Sequence, residues 1–261
     1  MAEPMYRQIA EDLRRKIESG ELAPGGQLPT ENELMEQYSA SRNTVRDAIK
    51  WLATRGSVET RPGQGTFVTE KIDPFVTTLT GDPKTGLGGG EEGVYIADVE
   101  AEGRTPAETD PRVQIRWASK VVTDALQIEE GARVVSRHQQ RLIDGTPWSL
   151  QTSYYPMRLV DDKHALGLRD PATMEEGGAV TYLAGFGITQ VGYRDTIAVR
   201  APDETETAFF KLPADGRVSV FEILRVAFDQ NGDPFRFTIT VYPADRNQFV
   251  INVGDVPPHC R

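Results

Sequence analysis

The sequence predicts an α+β protein in two parts. Apolar residues recur at helical spacing near the start of the chain, runs of alternating residues occupy its second half, and a stretch rich in Gly, Thr, Asp and Pro lies between. At 261 residues the chain suggests about two domains, by the soft rule of one per roughly 150 residues.

Met5, Ile9, Leu13 and Ile17 recur every four residues behind Pro4, so they form one apolar stripe on a first helix that stops near Gly20. Residues 22–29, which include Pro24, Gly25, Gly26 and Pro29, make a connector. Thr30 lies three residues before Glu33, and its hydroxyl and that carboxylate can cap each other's orphan amides at the start of a second helix ending at Tyr38. Ser41 caps a third helix in which Val45, Ile49 and Leu52 face inward and Gly56 supplies the stop. Arg42, Asn43, Arg46 and Lys50 are left facing out. Two short strands, 58–60 and 66–68, flank Pro62, Gly63, Gln64 and Gly65, a turn whose glycines permit positive φ and close backbone approach to another surface. This order of helix, turn, helix and glycine-tipped hairpin spells a winged helix-turn-helix over residues 1–71.

The segments YRQIAEDL from Tyr6, IESGELAPG from Ile17, LPTENEL from Leu28, SRNTVRDA from Ser41 and GQGTFV from Gly63 resemble the DNA-binding domain of GntR-type bacterial transcription regulators. The resemblance runs almost without gaps over residues 6–68. It implies that Arg42 and Arg46 contact phosphates and guanine edges, that Thr44 holds a phosphate, and that Gly63 enters the minor groove through its backbone. Guanidinium chemistry agrees, because its fork matches the O6/N7 pair of guanine. Thr30, Asn32, Asn43, Lys50 and Arg61 complete the expected DNA-facing set. Asn32 stands where the family usually has arginine, which implies altered or relaxed operator preference rather than lost binding.

The net charge of −10 runs against nucleic-acid binding until it is read locally. Between residues 37 and 66 the cations Arg42, Arg46, Lys50, Arg55 and Arg61 outnumber Asp47 and Glu59, so this segment is basic and the rest acidic. An acidic body discourages non-specific adhesion to DNA. The sequence shows neither a signal peptide nor an apolar run long enough to span a bilayer, and a cytoplasmic protein without membrane contact is expected. Cys260 is the single cysteine, and His138, His164 and His259 are scattered, so no disulfide framework, metal centre, catalytic group or cofactor is assigned.

Residues 72–93 read as a linker, although Phe75, Val76 and Leu79 have the character to pack on a neighbour. The second domain, 94–253, carries an internal echo and leaves 254–261 as a tail. Asp144-Gly145-Thr146-Pro147 is followed eight residues after the proline by Tyr155-Pro156; Asn231-Gly232-Asp233-Pro234 is followed at the same interval by Tyr242-Pro243. Each is a hairpin turn, pairing strands 134–143 with 148–155 and 218–228 with 235–242. Short helices are expected at 119–126, 179–186 and 203–211.

RVAFDQNGDPF from Arg225, RLIDGTP from Arg141 and TSYYP from Thr152 resemble the UTRA effector-binding domain of the HutC branch of the GntR family, over most of residues 95–250. The resemblance implies a homodimeric small-molecule sensor with a cleft between sheet and helices, on a fold shared with chorismate lyase. Arg137, Gln139 and Arg141 alternate on one face of a strand, and Arg236, Thr238 and Thr240 on one face of another, which suits either a solvated sheet face or a cleft. Sugar-phosphate sensors of this branch carry two arginines before the first turn, a glutamate on the next strand and a second glutamate after the later turn proline. Those positions here are Gln139, Arg141, Gln151 and Arg236, which favours an anionic ligand over an amino-sugar phosphate. Tyr154 and Tyr242 are expected to stack on it or hydrogen-bond to it. The expectation is therefore a dimeric repressor on a roughly palindromic double-stranded operator, released by an anion that Arg141 and Arg236 grip together. A ligand-independent repressor and a lyase-like enzyme fused to a DNA anchor are the alternatives.

Overall fold

A computed structural model of the chain describes residues 3–69, 74–80, 91–162, 164–170, 178–213, 216–253 and 256. The glycine run of the expected linker, nearly all of the expected tail, His259 and Cys260 lie outside the described residues. The chain divides into two compact units, Met1–Asp73 and Pro74–Arg261.

In the first unit, helices α1 (Met5–Glu18), α2 (Glu31–Tyr38) and α3 (Arg42–Thr54) precede the hairpin β1 (Val58–Arg61) and β2 (Gly65–Val68). The capping box forms as the sequence predicts: Glu33 N–H donates to Thr30 Oγ1 at 3.3 Å, and Thr30 N–H donates to Glu33 Oε2 at 2.7 Å. Ile9, Leu13, Leu34, Val45, Ala48 and Leu52 are all buried in one core. Burying each large aliphatic side chain there contributes about 1.5–3 kcal/mol. The inward stripe of α3 centres on Ala48, with Ile49 at its rim, and Met5 lies outside the core at 43 % exposure. The hairpin pairs Val58 with Val68 and Arg61 with Gly65, which puts Gly63, at φ +72°, at its tip.

The second unit starts earlier than the sequence suggests. Residues expected in a linker form β3 (Phe75–Thr78), which pairs in parallel with β11 (Asn247–Val250), and Phe75, Leu79 and Glu91 are buried. Helix α4 (Glu92–Ala101) and strands β4 (Pro106–Glu108) and β5 (Arg112–Trp117) follow, then α5 (Lys120–Leu126). The echoed hairpins are β6 (Arg133–Ile143) with β7 (Thr146–Pro156), and β9 (Val220–Asp229) with β10 (Pro234–Pro243). Between them come α6 (Arg158–Asp161), a 3-10 turn (Leu166–Arg169), α7 (Gly178–Ala184), β8 (Gln190–Arg200) and α8 (Glu204–Phe210). Seven of these strands form one antiparallel sheet in the order β4-β6-β7-β10-β9-β8, with β5 also on β6.

The two hairpins meet at β7 and β10. Thr152 and Ile239, each five residues after its turn proline, face one another, and Leu150 faces Val241 as Tyr154 faces Phe237. That register is a local two-fold axis normal to the sheet. On one face α5 packs on Val134 and Phe237, while Phe210 of α8 packs on Val220 and Val241. On the other, Leu159, Leu168 and Leu183 cover Val135, Tyr155 and Ala227.

Candidate nucleic-acid surface and ligand cavity

On the first unit, the exposed side of α3 gathers the charged residues expected to meet DNA. The arginine side chains of Arg42 and Arg46 are 55 % and 60 % exposed. Arg46 Nε donates to Glu31 Oε1 at 2.9 Å and Arg42 Nη2 donates to Asn32 Oδ1 at 2.9 Å, so the start of α2 holds both guanidinium groups side by side. Glu31 hydrogen-bonds Arg46 and raises its pKa further. Asn32 thus orients the neighbouring arginine. Ser41 Oγ accepts from Thr44 N–H at 3.2 Å and lies 2.8 Å from Thr44 Oγ1, so both hydroxyls sit at the helix start. Asn43 and Lys50 are exposed on the same helix. Arg61 is ion-paired with Glu59 and lies over the Phe67 ring, 4.4 Å from its centroid. Gln27 Nε2 donates to Gln64 O at 2.9 Å and braces the wing, while a Cβ built at Gly63 meets nothing within 4 Å. The backbone at the tip is therefore open to close approach.

In the second unit the register puts Arg137, Gln139, Arg141, Gln151, Arg236 and Tyr242 on one face of the sheet. Gln151, Arg236 and Tyr242 line one small cavity, with a volume of about 20 Å³. Four of the residues expected to meet the effector lie away from this cavity. Tyr154 points to the opposite face and stacks on Phe237, at 6.1 Å between centroids, in the α5 core. Arg137 Nη1 donates to the carbonyls of Leu168 and Asp170, both at 3.0 Å, and so ties down the 3-10 turn. Arg141 is fully buried, paired with Glu108 and set 4.7 Å from the Tyr95 ring centroid. Gln139 faces Gln151 across β6 and β7 but does not line the cavity.

Arg141 and Arg236 therefore do not grip one ligand together. Arg141 is level with Ser149 on β7, whereas Arg236 lies one residue before the Phe237 and Tyr154 pair. That separates them by about six residues along the strands, roughly 20 Å at 3.3 Å per residue. The two-fold explains why: Arg236 and Ser149 are equivalent positions, each two residues past its proline, so the counterpart of Arg141 is Ala227.

The partner of Arg236 is Arg225, which the strand patterning alone does not single out. Its signal is a charged residue on the inward face of β9, between Ile223 and Ala227. Arg225 makes a bidentate pair with Asp195 on β8, at 2.8 and 2.7 Å, and its Nη1 lies 3.0 Å from Glu91 Oε1. Arg236 Nη2 donates to the same Glu91 oxygen at 2.5 Å and to Gln190 Oε1 at 2.9 Å. Burial pushes the Glu91 carboxyl up, but the guanidinium groups of Arg236 and Arg225 overcome that and hold it at about 2, below its ordinary 4.5.

The acid behaviour follows from that sign. Because the folded value lies below the ordinary one, Glu91 contributes its full stabilisation above pH 4.5 and loses it as the pH falls towards 2. Glu206 shifts the same way: Arg200 and the Asp203 amide outweigh its burial. Denaturant midpoints of the second unit are expected to fall progressively with acidification through this window. A Glu91→Gln variant with the same acid slope as the parent would show that Glu91 does not set it.

A family model described as "Bacterial regulatory proteins, gntR family" matches residues 5–68, and one described as "UTRA domain" matches residues 101–248. An HTH-type transcriptional regulator of Streptomyces coelicolor is 32 % identical over 93 % of this chain and 90 % of its own length. The HTH-type transcriptional repressor NagR of Bacillus subtilis is 25 % identical over 95 % of this chain and 93 % of its own. Among solved structures, PhnF from Mycobacterium smegmatis has a TM-score of 0.56 at 25 % identity, covering 95 % of this chain and all of that one. No helix among the described residues is long and apolar enough to cross a membrane.

Proposed function

The chain belongs to the GntR family of bacterial regulatory proteins and carries a UTRA domain, and from that premise we propose that it is a repressor which binds a two-fold operator as a homodimer and releases it when a small anion binds the second unit. The pairing of Arg42 and Arg46 on the exposed face of α3 carries the DNA-reading part. Two guanidinium forks one helical turn apart suit a guanine edge and a neighbouring phosphate. Thr44 supports a second phosphate contact, Lys50 and Arg61 add charge, and the open backbone at Gly63 suits the minor groove. Dimerisation is supported by β8, an eleven-residue edge strand with Val191, Ile197 and Val199 exposed. The name of the NagR relative supports repression rather than activation.

Selection from random double-stranded DNA tests this reading. The recovered sequence is expected to be two-fold symmetric, with half-sites about one helical turn apart. Sedimentation of the free protein is expected to give a dimer. No enrichment at low salt, or a monomer at micromolar concentration that stays monomeric on DNA, would overturn it. A ligand-independent repressor is the second reading, favoured by the size of the cavity: about 20 Å³ holds one water and no metabolite.

A further inference from the structure

We propose that Glu91 is an internal occupant of the effector's anion position, and that the effector carries a carboxylate or phosphate which takes over Arg225 and Arg236 by displacing it. This rests on the effector-controlled reading above and names its ligand chemistry and its switch.

The Glu91 side chain is placed as a ligand would be. One oxygen, Oε1, is shared by Arg225 at 3.0 Å and Arg236 at 2.5 Å, with Gln190 Nε2 3.5 Å away. The residue immediately precedes α4 at its N-cap, yet its side chain makes no capping hydrogen bond there; the carboxylate turns into the sheet instead. Nor does it use all that the site offers. Arg236 is 5 % exposed and its Nε has no partner among the described residues, so a donor remains at a site that already holds an anion. A phosphate brings more acceptor atoms to the guanidinium edges than the Glu91 carboxylate does, and an untethered carboxylate is free to present both of its oxygens.

Volume and charge both require exchange rather than addition. With Glu91 in place the cavity accepts one water. Arg225 and Arg236 are balanced by Glu91 and Asp195, so a second buried anion would leave the cluster with an uncompensated negative charge, whereas a singly charged group that replaces Glu91 keeps it neutral and a doubly charged one leaves a smaller excess than addition would. Glu91 also sits where exchange has a consequence. In chain order it lies between β3 and α4, inside the second unit, and α4 leads into the sheet. An anion that favours the arrangement with Glu91 released thereby shifts the population of conformations at the start of α4, within the second unit.

The test is calorimetric titration of the full chain with inorganic phosphate and with malonate, at ionic strength held constant with chloride. An internal competitor lowers apparent affinity by the fraction of time the site is free, so Glu91→Ala and Glu91→Gln are expected to bind one of the two anions on the order of tenfold more tightly than the parent. Adding Arg236→Ala is expected to abolish that gain. Preference for phosphate points to a phosphorylated effector, and preference for malonate to a carboxylate. Glu91→Ala is expected to melt earlier and to regain its Tm in phosphate or malonate but not in chloride. Should it fold only with one of these anions present, that supports the proposal, and Glu91→Gln supplies the affinity comparison. Unchanged affinity for both anions in the Glu91 variants, or a gain that survives Arg236→Ala, overturns it. The titration contains no DNA, so its failure is separable from failure of the operator selection.

Discussion

Arg46→Ala is expected to weaken binding to the selected operator by about 1–3 kcal/mol per half-site, the discrimination carried by one good bidentate arginine–guanine pair. In a homodimer the substitution is present twice, so the loss from the full site approaches double that. The side chain is 60 % exposed and, among the described residues, bonded only to Glu31, so its removal leaves the core of α1, α2 and α3 untouched and circular dichroism should be unchanged. Arg42→Ala is expected to be of similar size. Its signature differs if the guanidinium meets a phosphate: the slope of log affinity against log salt then flattens by about 0.9 for each phosphate that is no longer neutralised. Because Glu31 holds Arg46 and lies 3.9 Å from Arg42, DNA must take these groups from a carboxylate, and Glu31→Gln should raise affinity for unrelated DNA more than for the operator. Filter or anisotropy titrations over a salt series separate these outcomes. Both arginine variants binding like the parent, with the fold intact, would remove α3 from the DNA-reading role.

The second large effect is on stability. Arg225→Ala is expected to cost the second unit about 3–5 kcal/mol, the usual penalty for removing one partner of a buried ion pair. Arg225 side-chain exposure is 7 %, and its loss strips Asp195 of a bidentate partner and leaves Glu91 with one guanidinium, that of Arg236, among the described residues. The penalty comes from stranded carboxylates, so it should shrink when Asp195→Asn is added. Denaturant unfolding of the two variants measures it. A loss below about 1 kcal/mol for Arg225→Ala would mean that water reaches the cluster and that the pair is screened as at a surface.

The DNA-binding half was legible because its determinants are local. A cap three residues from its carboxylate, a stripe at helical spacing and a glycine turn each need only a short window, and Thr30, Ser41 and Gly63 stand where that window placed them. The echoed hairpins were legible for the same reason. Strand β8 was not: it is an edge strand exposed on most of its length, so Gln190–Arg200 shows no clean alternation. Glu91 was invisible in a different way. It sits beside a glycine run that reads as linker, and its meaning arises only from pairing with Arg225 and Arg236, far along the chain. Convergence of Arg141 and Arg236 failed on register, which no single strand reveals.

The local two-fold between the hairpins has a consequence for how quickly the sheet assembles. Each hairpin closes a short loop, an event of microseconds, with Asp144-Gly145 or Asn231-Gly232 setting its turn. Joining β7 to β10 closes a loop that contains α6, α7, β8, α8 and β9, and loop-closure entropy rises with length before any rung of that ladder forms. The seam at Thr152 and Ile239 is thus expected to form late and to set the refolding rate of this unit, which stopped-flow refolding of seam variants checks. Substitutions along the seam would slow refolding. Those in the edge strand β8 would leave refolding largely unchanged and speed unfolding.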